Sequence, residues 1–317
     1  MQYATTRSIA IQHKILHNHQ HKTASIRSTR LQKTVPQQKN HNKTLQTITT
    51  DIKQTHMTIT LITCTYNAES VLQKTLNSII KQDYNYIEHI IIDGKSKDNT
   101  LKIAEQYKAT SNIQRTGHKI TIISEPDKGL YDAMNKGIRY ATGDYLCFLN
   151  AGDVLHNTNT IRDIVSTAKK SEKEYGVLYG ETDIVDDNGK FIGHRHLRAP
   201  QNLTWRSFRY GMLVCHQAFY ANTRIAKQTP YNLKYRISAD VDWCIRIMKQ
   251  AEKEGLTNLN TEKVVCNYLA GGMSIKNHRA SLIERYKTMC EHYGTATTII
   301  MHIWFAIRGV MSKLGMK

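Results

Sequence analysis

The sequence predicts an α/β fold: a mostly parallel central sheet with helices on both faces. Two observations carry this prediction. From Met57 onward four strand-like hydrophobic periods alternate with three helix-like ones, the order in which crossover helices join parallel strands. One strand-like run, residues 87–92, is apolar apart from Glu88 and His89, as expected of a strand covered on both faces.

Each element has its own local reason. Residues 59–65 are rich in β-branched side chains and read as the first strand, with Tyr66, Asn67, Ala68 and Glu69 as a loop. Leu72, Leu76, Ile79 and Ile80 then fall at i, i+4, i+7 and i+8, one apolar stripe of a helix. The second strand ends at Asp93 and Gly94. Ser96 or Asp98 can cap the next helix, which carries Leu101, Ala104 and Tyr107 on one face. Residues 119–124 form a third strand, residues 130–140 a third helix, and residues 144–149 a fourth strand ending at Asn150, Ala151, Gly152 and Asp153.

Composition sets the class. The chain has 317 residues, 40% hydrophobic and 22% charged, with a formal charge of +18. That is ordinary globular usage, and no stretch approaches the roughly 18 uninterrupted apolar residues of a membrane span. The charge is uneven: residues 1–56 hold nine Lys/Arg and one acid, a net +8, with six of the 15 His. This segment reads as a basic disordered tail. It makes a poor secretory signal because its basic residues are scattered and no apolar block follows them, and Met57 is an alternative natural start. The six cysteines form no Cys-X-X-Cys pair, so neither zinc nor a redox dithiol is signalled and reduced thiols in the cytoplasm are expected.

Ligands of parallel sheets bind beyond the carboxyl ends of the strands. Here those ends carry Thr65, Tyr66 and Asn67; Asp93 and Gly94; Asp127, Lys128 and Gly129; and the tetrad 150–153. One such loop is readily a turn. Four converge acceptors on one crevice, where carboxylates repel unless a cation or a donor-rich ligand joins them. Neither a P-loop nor a G-x-G-x-x-G fingerprint is present, which argues against a P-loop NTPase and a dinucleotide dehydrogenase.

Taken in order, these motifs, with the run 127–137 and Gly143-Asp144 before residues 148–153, resemble glycosyltransferase family 2 over about residues 57–277. The likeness extends to bacterial capsule, exopolysaccharide and lipopolysaccharide transferases of the colanic-acid type, through Cys215-His216-Gln217, residues 239–242 and residues 271–274. The resemblance implies a GT-A fold, with a nucleotide-sugar half at 57–155 and an acceptor-binding and catalytic half at 156–280; beyond it, C-terminal amphipathic helices are expected at 281–317.

It also implies roles. Thr65, Tyr66 and Asn67 shape the base and ribose pocket, and Asp93 accepts the imide N–H of uracil, as a carboxylate can. Lys128 and the Gly129 backbone serve the diphosphate or donor sugar, and Asp132 and Asn135, at i and i+3, share a face toward the cleft. Asn150, Ala151, Gly152 and Asp153 stand where the family has Asp-X-Asp, but the first acid is replaced by Asn150. Asp153 is therefore expected as the principal protein ligand of Mn²⁺ or Mg²⁺, with Asn150 or solvent completing an oxygen shell around the diphosphate. Asp240 aligns with the catalytic base, Asp242 is expected to orient acceptor or helix, and His216 and Gln217 face acceptor or diphosphate. Helix capping is the competing explanation for the two acids.

The rest is less regular. Residues 179–184 read as a strand and residues 186–189 as a hairpin turn rather than a calcium loop. Arg206 and Arg209 interleave with Trp205, Phe208 and Tyr210, bordering an acceptor or covering the sheet edge. Ile300, Ile303, Trp304, Ile307, Met311 and Leu314 make a short amphipathic helix, which either lies on the inner face of the cell membrane or docks on the catalytic domain. The expected activity is an inverting, metal-dependent transfer from a nucleotide sugar, UDP-linked by expectation, to a glycan or lipid-linked acceptor in bacterial surface polysaccharide synthesis. Two rivals remain: a sugar-nucleotide nucleotidyltransferase, against which Thr65-Tyr66-Asn67 speaks, and a basic nucleic-acid-binding protein resting on residues 1–56.

Overall fold

The computed structural model describes residues 56–270 and 277–313. The tail reading therefore lies, apart from His56, outside the described residues, as do residues 271–274 of the family motifs. The chain divides into residues 1–53 and residues 54–317, and only the second unit is described.

Strands β1 (Ile59–Thr65), β2 (Ile87–Asp93), β3 (Lys119–Ser124) and β4 (Tyr145–Phe148) alternate with helices α1 (Glu69–Ile80), α2 (Thr100–Gln114) and α3 (Leu130–Tyr140). They pair in parallel in the order β3-β2-β1-β4, as the alternating periods predict. The second half extends the same sheet through β5 (Val154–Leu155), β6 (Tyr175–Val185), β7 (Phe191–His194), β8 (Phe219–Asn222) and β9 (Thr257–Leu269). β8 lies antiparallel between β4 and β6, and β6 pairs in parallel with β9. The two expected halves thus share one sheet and one core. Helices α4 (Thr160–Ala168), α5 (Thr223–Gln228), α6 (Ala239–Lys253), α7 (His278–Tyr293) and α8 (Thr295–Lys313) complete the described part.

β1 and β2 are buried at every position, and their polar side chains are all provided for. Glu88, 2% exposed, accepts hydrogen bonds from Lys119 Nζ, Thr142 N, Thr142 Oγ1 and Thr60 Oγ1 at 2.6–2.8 Å. These donors outweigh the upward pull of burial and hold its carboxyl below the ordinary range. His89 is fully buried. Thr63 Oγ1 donates to the Leu149 carbonyl and so accepts from His89 Nε2–H at 3.0 Å, while His89 Nδ1 accepts from the Tyr107 hydroxyl at 2.9 Å. The ring is neutral, its pKa depressed by burial, and secondarily by His118, to about 3.

This has a consequence for acid stability. Between the unfolded value near 6.5 and about 3, the unfolded chain binds a proton that the folded chain refuses. Stability is therefore lost as pH falls through this window, by up to about 1.4 kcal/mol per pH unit. His89→Gln is expected to be less stable at neutral pH but to lose stability less steeply between pH 6 and 4. Urea midpoints across that range check it, and an unchanged slope would exclude His89 as the source.

Two of the less regular segments take a definite form, the first as the expected hairpin turn. Asp186 Oδ1 accepts from Asn188 N and Lys190 N at 2.9 and 2.8 Å, closing the hairpin turn between β6 and β7. Trp205 stacks on Tyr293 and donates to Glu252, and Arg206 lies over the Trp205 ring while pairing with the same Glu252. Trp205 and Arg206 pin the 205–210 turn to α6 and α7.

Candidate active site

The strand ends hold a cavity of about 610 Å³ whose wall includes Thr65, Tyr66, Gly94, Asp127, Gly129 and Leu130. A larger cavity of about 820 Å³ lies at the opposite strand ends, near Thr142, Asp144 and Asn222, away from the convergent acids. The smaller one is the chemically furnished site.

The loops after β1 and β2 are clamped together. Asn67, with φ of 48°, donates its N–H to Ser96 Oγ and accepts Lys97 N on its side chain. Ala68 N donates to Thr100 Oγ1, and Asp98 accepts both Glu69 N and Thr100 N; of the two expected caps, Asp98 bonds the start of α2. Asn67 is thus a loop-setting residue, while Tyr66 stands 62% exposed at the cavity mouth. Asp93 sits beneath the floor, 1% exposed, and accepts from Thr65 Oγ1, Ser96 Oγ, Ser96 N and Ser124 Oγ at 2.5–3.3 Å. Four protein donors already surround the expected base reader.

Asp127 fills the place next to it. Its Oδ1 accepts Gly129 N at 2.9 Å, and a Cβ on Gly94 would fall 2.4 Å from its Oδ2, so glycine at 94 makes room for this carboxylate. Asp127 is a site residue that motif reading left without a role. The signal was available: it follows β3 as Asp93 ends β2, and Asp93 is in register with Ser124 of β3.

Gly129, Leu130 and Ala133 bring the N-terminus of α3 to the cavity, where the helix dipole suits phosphate, although the Gly129 amide expected to serve the diphosphate already donates to Asp127. Lys128 is exposed beside it. Asp132 accepts Lys128 N at 3.0 Å and so fastens the turn. Asn135 departs from expectation: it is buried, with Nδ2 donating to Tyr231 O and Oδ1 accepting Tyr231 N at 3.0 and 2.7 Å. Both ends of its amide are spent on one backbone unit. It is a clip between α3 and the loop before α6, not a lining residue.

The 150–153 turn closes through Asp153 N donating to Asn150 O, and buried Thr75 bonds both Gly152 N and Asp153 O. Gly152 has φ of 103° and a Cβ there would meet Leu269 Cδ2 at 3.1 Å, so no acid side chain fits at that position without strain. Asp153 is 5% exposed and turned inward, accepting Gln217 Nε2 and Leu269 N at 2.9 and 3.2 Å. Burial, only partly opposed by these donors and by His216, raises its pKa. Asn150 Nδ2 donates to His216 Nε2 at 3.0 Å, and His216 Nδ1 donates to Asp240 Oδ2 at 3.3 Å. Asn150 Oδ1 and Gln217 Oε1 are buried acceptors without a hydrogen-bond partner.

These unpartnered amide oxygens, beside a buried carboxylate, fit a hard cation. Among the described residues no group of three His, Cys, Asp or Glu is arranged to hold one, so most of its shell would have to come from a bound diphosphate.

Asp240 opens α6. Burial pushes its carboxyl up, but the hydrogen bond from His216 and the positive charge of Arg285 outweigh that and hold it below the ordinary aspartate range. Asp242 points elsewhere: its oxygens pair with Arg246 Nε and His292 Nε2, each at 2.8 Å, and it is 2% exposed. Burial raises its pKa and the His292 and Arg246 contacts lower it further than that, to a net fall. It ties α6 to α7. The turn before Asp240 is fixed by Tyr131, whose hydroxyl donates to Ile237 O at 2.8 Å, and by Glu284, which accepts Arg236, Ile237 and Ser238 N–H at 2.8–2.9 Å. Glu284 and Arg285 lie far along the chain from Asp240, and no motif announces them.

The chain is similar to known glycosyltransferases in sequence and in fold. A PGL/p-HBAD biosynthesis glycosyltransferase of Mycobacterium bovis is 33% identical over 187 residues, 59% of this chain and 68% of that protein. The amylovoran biosynthesis glycosyltransferase AmsB of Erwinia amylovora is 28% identical over 213 residues, 64% and 66% of the two chains. Among solved structures, TarS 1–349 of S. aureus superposes with a TM-score of 0.57 at 18% identity, covering 81% of this chain and 74% of that one. Its complex with UDP-GlcNAc gives 0.56 at 17% identity, covering 77% and 70%. The mannosyltransferase PcManGT of Pyrobaculum calidifontis, in complex with GDP-Man and Mn²⁺, gives 0.50 at 16% identity, covering 80% and 76%. The fold is GT-A. With Glycosyl transferase family 2 matched over residues 60–239, more than half its length, the chain belongs to that family.

Proposed function

We propose that this enzyme transfers a sugar, with inversion, from a UDP-linked donor to a glycan or lipid-linked acceptor in the synthesis of a bacterial surface polysaccharide or glycolipid. The observation that carries the reading is the cavity at the strand ends, roofed by the N-terminus of α3, with Asp240 and His216 joined to the 150–153 turn. TarS bound to UDP-GlcNAc and AmsB of amylovoran synthesis support the donor and product classes.

In this reading the base occupies the pocket between Tyr66 and Asp127, with Asp93 buttressing the floor, and the diphosphate lies against Gly129 and Lys128. The acceptor hydroxyl attacks the anomeric carbon from the face opposite the nucleotide. Its proton passes to Asp240, which is ionised because His216 and Arg285 hold its pKa low. The bond between the anomeric carbon and the phosphate oxygen breaks, and its electron pair leaves with UDP. Asn150 and Asp153 would hold Mn²⁺ or Mg²⁺ together with the diphosphate, and such a cation offsets the charge growing on the leaving group. His216 orients Asp240, and Asp242 positions α6 from its far side. We place the enzyme at the inner face of the cell membrane.

The decisive experiment is a screen of UDP- and GDP-sugars for transfer or slow hydrolysis, with and without EDTA. Turnover of a UDP-sugar that EDTA abolishes and that Asp153→Ala loses is expected. Turnover confined to GDP-sugars would overturn the base assignment, and full activity in EDTA would remove the metal. A second result is expected from Gly94→Ala: the new methyl drives Asp127 into the cavity, and UDP affinity measured by calorimetry falls by about tenfold while the fold is kept. Unchanged affinity would place the nucleotide elsewhere.

A further inference from the structure

We propose that the hairpin of α7 and α8 is a docking surface for an anionic lipid bilayer, lying in the interface without crossing it. α8 packs against the body through Thr298 and Met301, both buried. Its other side carries Ile299, Ile300, Ile303, Trp304, Ile307 and Val310, each 46–64% exposed. At about 100° per residue these six fall within an arc of about 140°. A surface helix in water shows the reverse arrangement, with its apolar stripe turned inward and its polar face out. Four residues of the sequence stripe, Ile300, Ile303, Trp304 and Ile307, lie on this arc, while Leu314 lies outside the described residues; the arc faces away from the catalytic domain while the opposite side docks on it. No helix among the described residues is long and apolar enough to span a membrane.

α7 extends the same surface. Leu282, Ile283 and Tyr286 are exposed on one side, and Arg279 and Lys287 share that side at helical spacing. Tyr286 meets the His302 ring at 5.1 Å, so the two apolar faces adjoin at the hairpin seam.

Charge selects the occupant. α8 contains no Asp or Glu and ends in Lys313. The two acids of α7 are committed to the body: Glu284 to the backbone of residues 236–238, and Glu291 to Lys234. What faces outward is apolar and basic, with a tryptophan among it, the composition of a helix lying in a headgroup layer. An anionic leaflet complements it; a second copy of the same face would bring like charges together. The surface stands independently of the transfer reading. If both hold, Glu284 and the 2.8 Å contact of His292 with Asp242 attach the lipid-facing hairpin directly to the helix that bears Asp240.

Flotation of the full chain with vesicles tests this, using phosphatidylcholine alone and phosphatidylcholine with an equal part of phosphatidylglycerol. Binding to the anionic vesicles, weakened by salt, is expected. Ile303→Ser with Trp304→Ser should reduce it at least about tenfold, since each buried apolar side chain contributes about 1.5–3 kcal/mol. Both positions are exposed, so thermal unfolding should not change. Asp240→Asn should float like the wild type, which separates this proposal from the catalytic one. Binding that persists undiminished in the double variant would assign it to the basic residues 1–56 and overturn the proposal. So would a dimer in sedimentation that the double variant dissolves, with no flotation.

Discussion

Asp240→Asn is expected to fold normally and to lose transfer by about 10²–10⁴-fold, the usual contribution of a positioned base. The replacement keeps the volume and still offers an oxygen to His216 Nδ1, so the network of Asn150, His216 and the residue at 240 survives. Only the capacity to take a proton is removed. The loss should appear in kcat, with the affinity for UDP retained, because the cavity proposed for the nucleotide is lined by Tyr66, Asp127 and Gly129. His216→Ala provides the complementary measurement. Without the imidazole donor, the burial of Asp240 is opposed mainly by Arg285, and its pKa rises. The acid limb of kcat/KM should then move to higher pH, a shift that a merely structural histidine would not produce. Wild-type turnover in Asp240→Asn would refute the assignment of the base.

β1 and β2 were legible because burial on both faces demands β-branched, apolar runs, and the helices announce themselves by stripes such as Leu72, Leu76 and Ile79. Their polar tips followed, since strand ends of a parallel sheet meet at one rim. The antiparallel insertion of β8 between β4 and β6 was not legible: it depends on partners far apart in sequence, and its four residues carry no period of their own. Among site residues the distinction that failed was between a polar side chain that serves a ligand and one that serves the backbone. Asn135 has the composition and helix spacing of a ligand residue, yet both ends of its amide hold Tyr231. Asp153 differs from it: Gln217 and Leu269 orient its carboxylate, which keeps its place in the proposed cation site. For Asp240 and Asp242 a signal did exist, because residues two apart on a helix point about 200° apart, so one cleft cannot receive both.

Trp243→Ala is expected to be the most destabilising single change in the core, by about 3–5 kcal/mol, with a fall in the thermal midpoint of about 10 °C. The indole is fully buried, stacked on Tyr231 with centroids 4.7 Å apart, and met edge-on by Phe148 and Phe219 at 5.6 and 5.8 Å. Truncation would also strip the Thr229 carbonyl of its donor, Nε1 at 2.8 Å. Trp243→Phe separates the two effects: the ring stack largely remains, so the loss should shrink to about 1–3 kcal/mol for the unmet acceptor and the smaller ring. Activity should fall with stability in the alanine variant even well below the melting transition. Tyr231 stacks in turn on Tyr131 at 5.2 Å, and Tyr131 holds Ile237, three residues before Asp240. One aromatic column thus runs from the helix that carries the base to the first turn of α3 at the nucleotide cavity, and removing its central ring loosens both halves of the site together. Denaturant midpoints and UDP binding measured on the same preparations check this, and an alanine variant that loses stability yet keeps wild-type transfer would show that the column supports the fold alone.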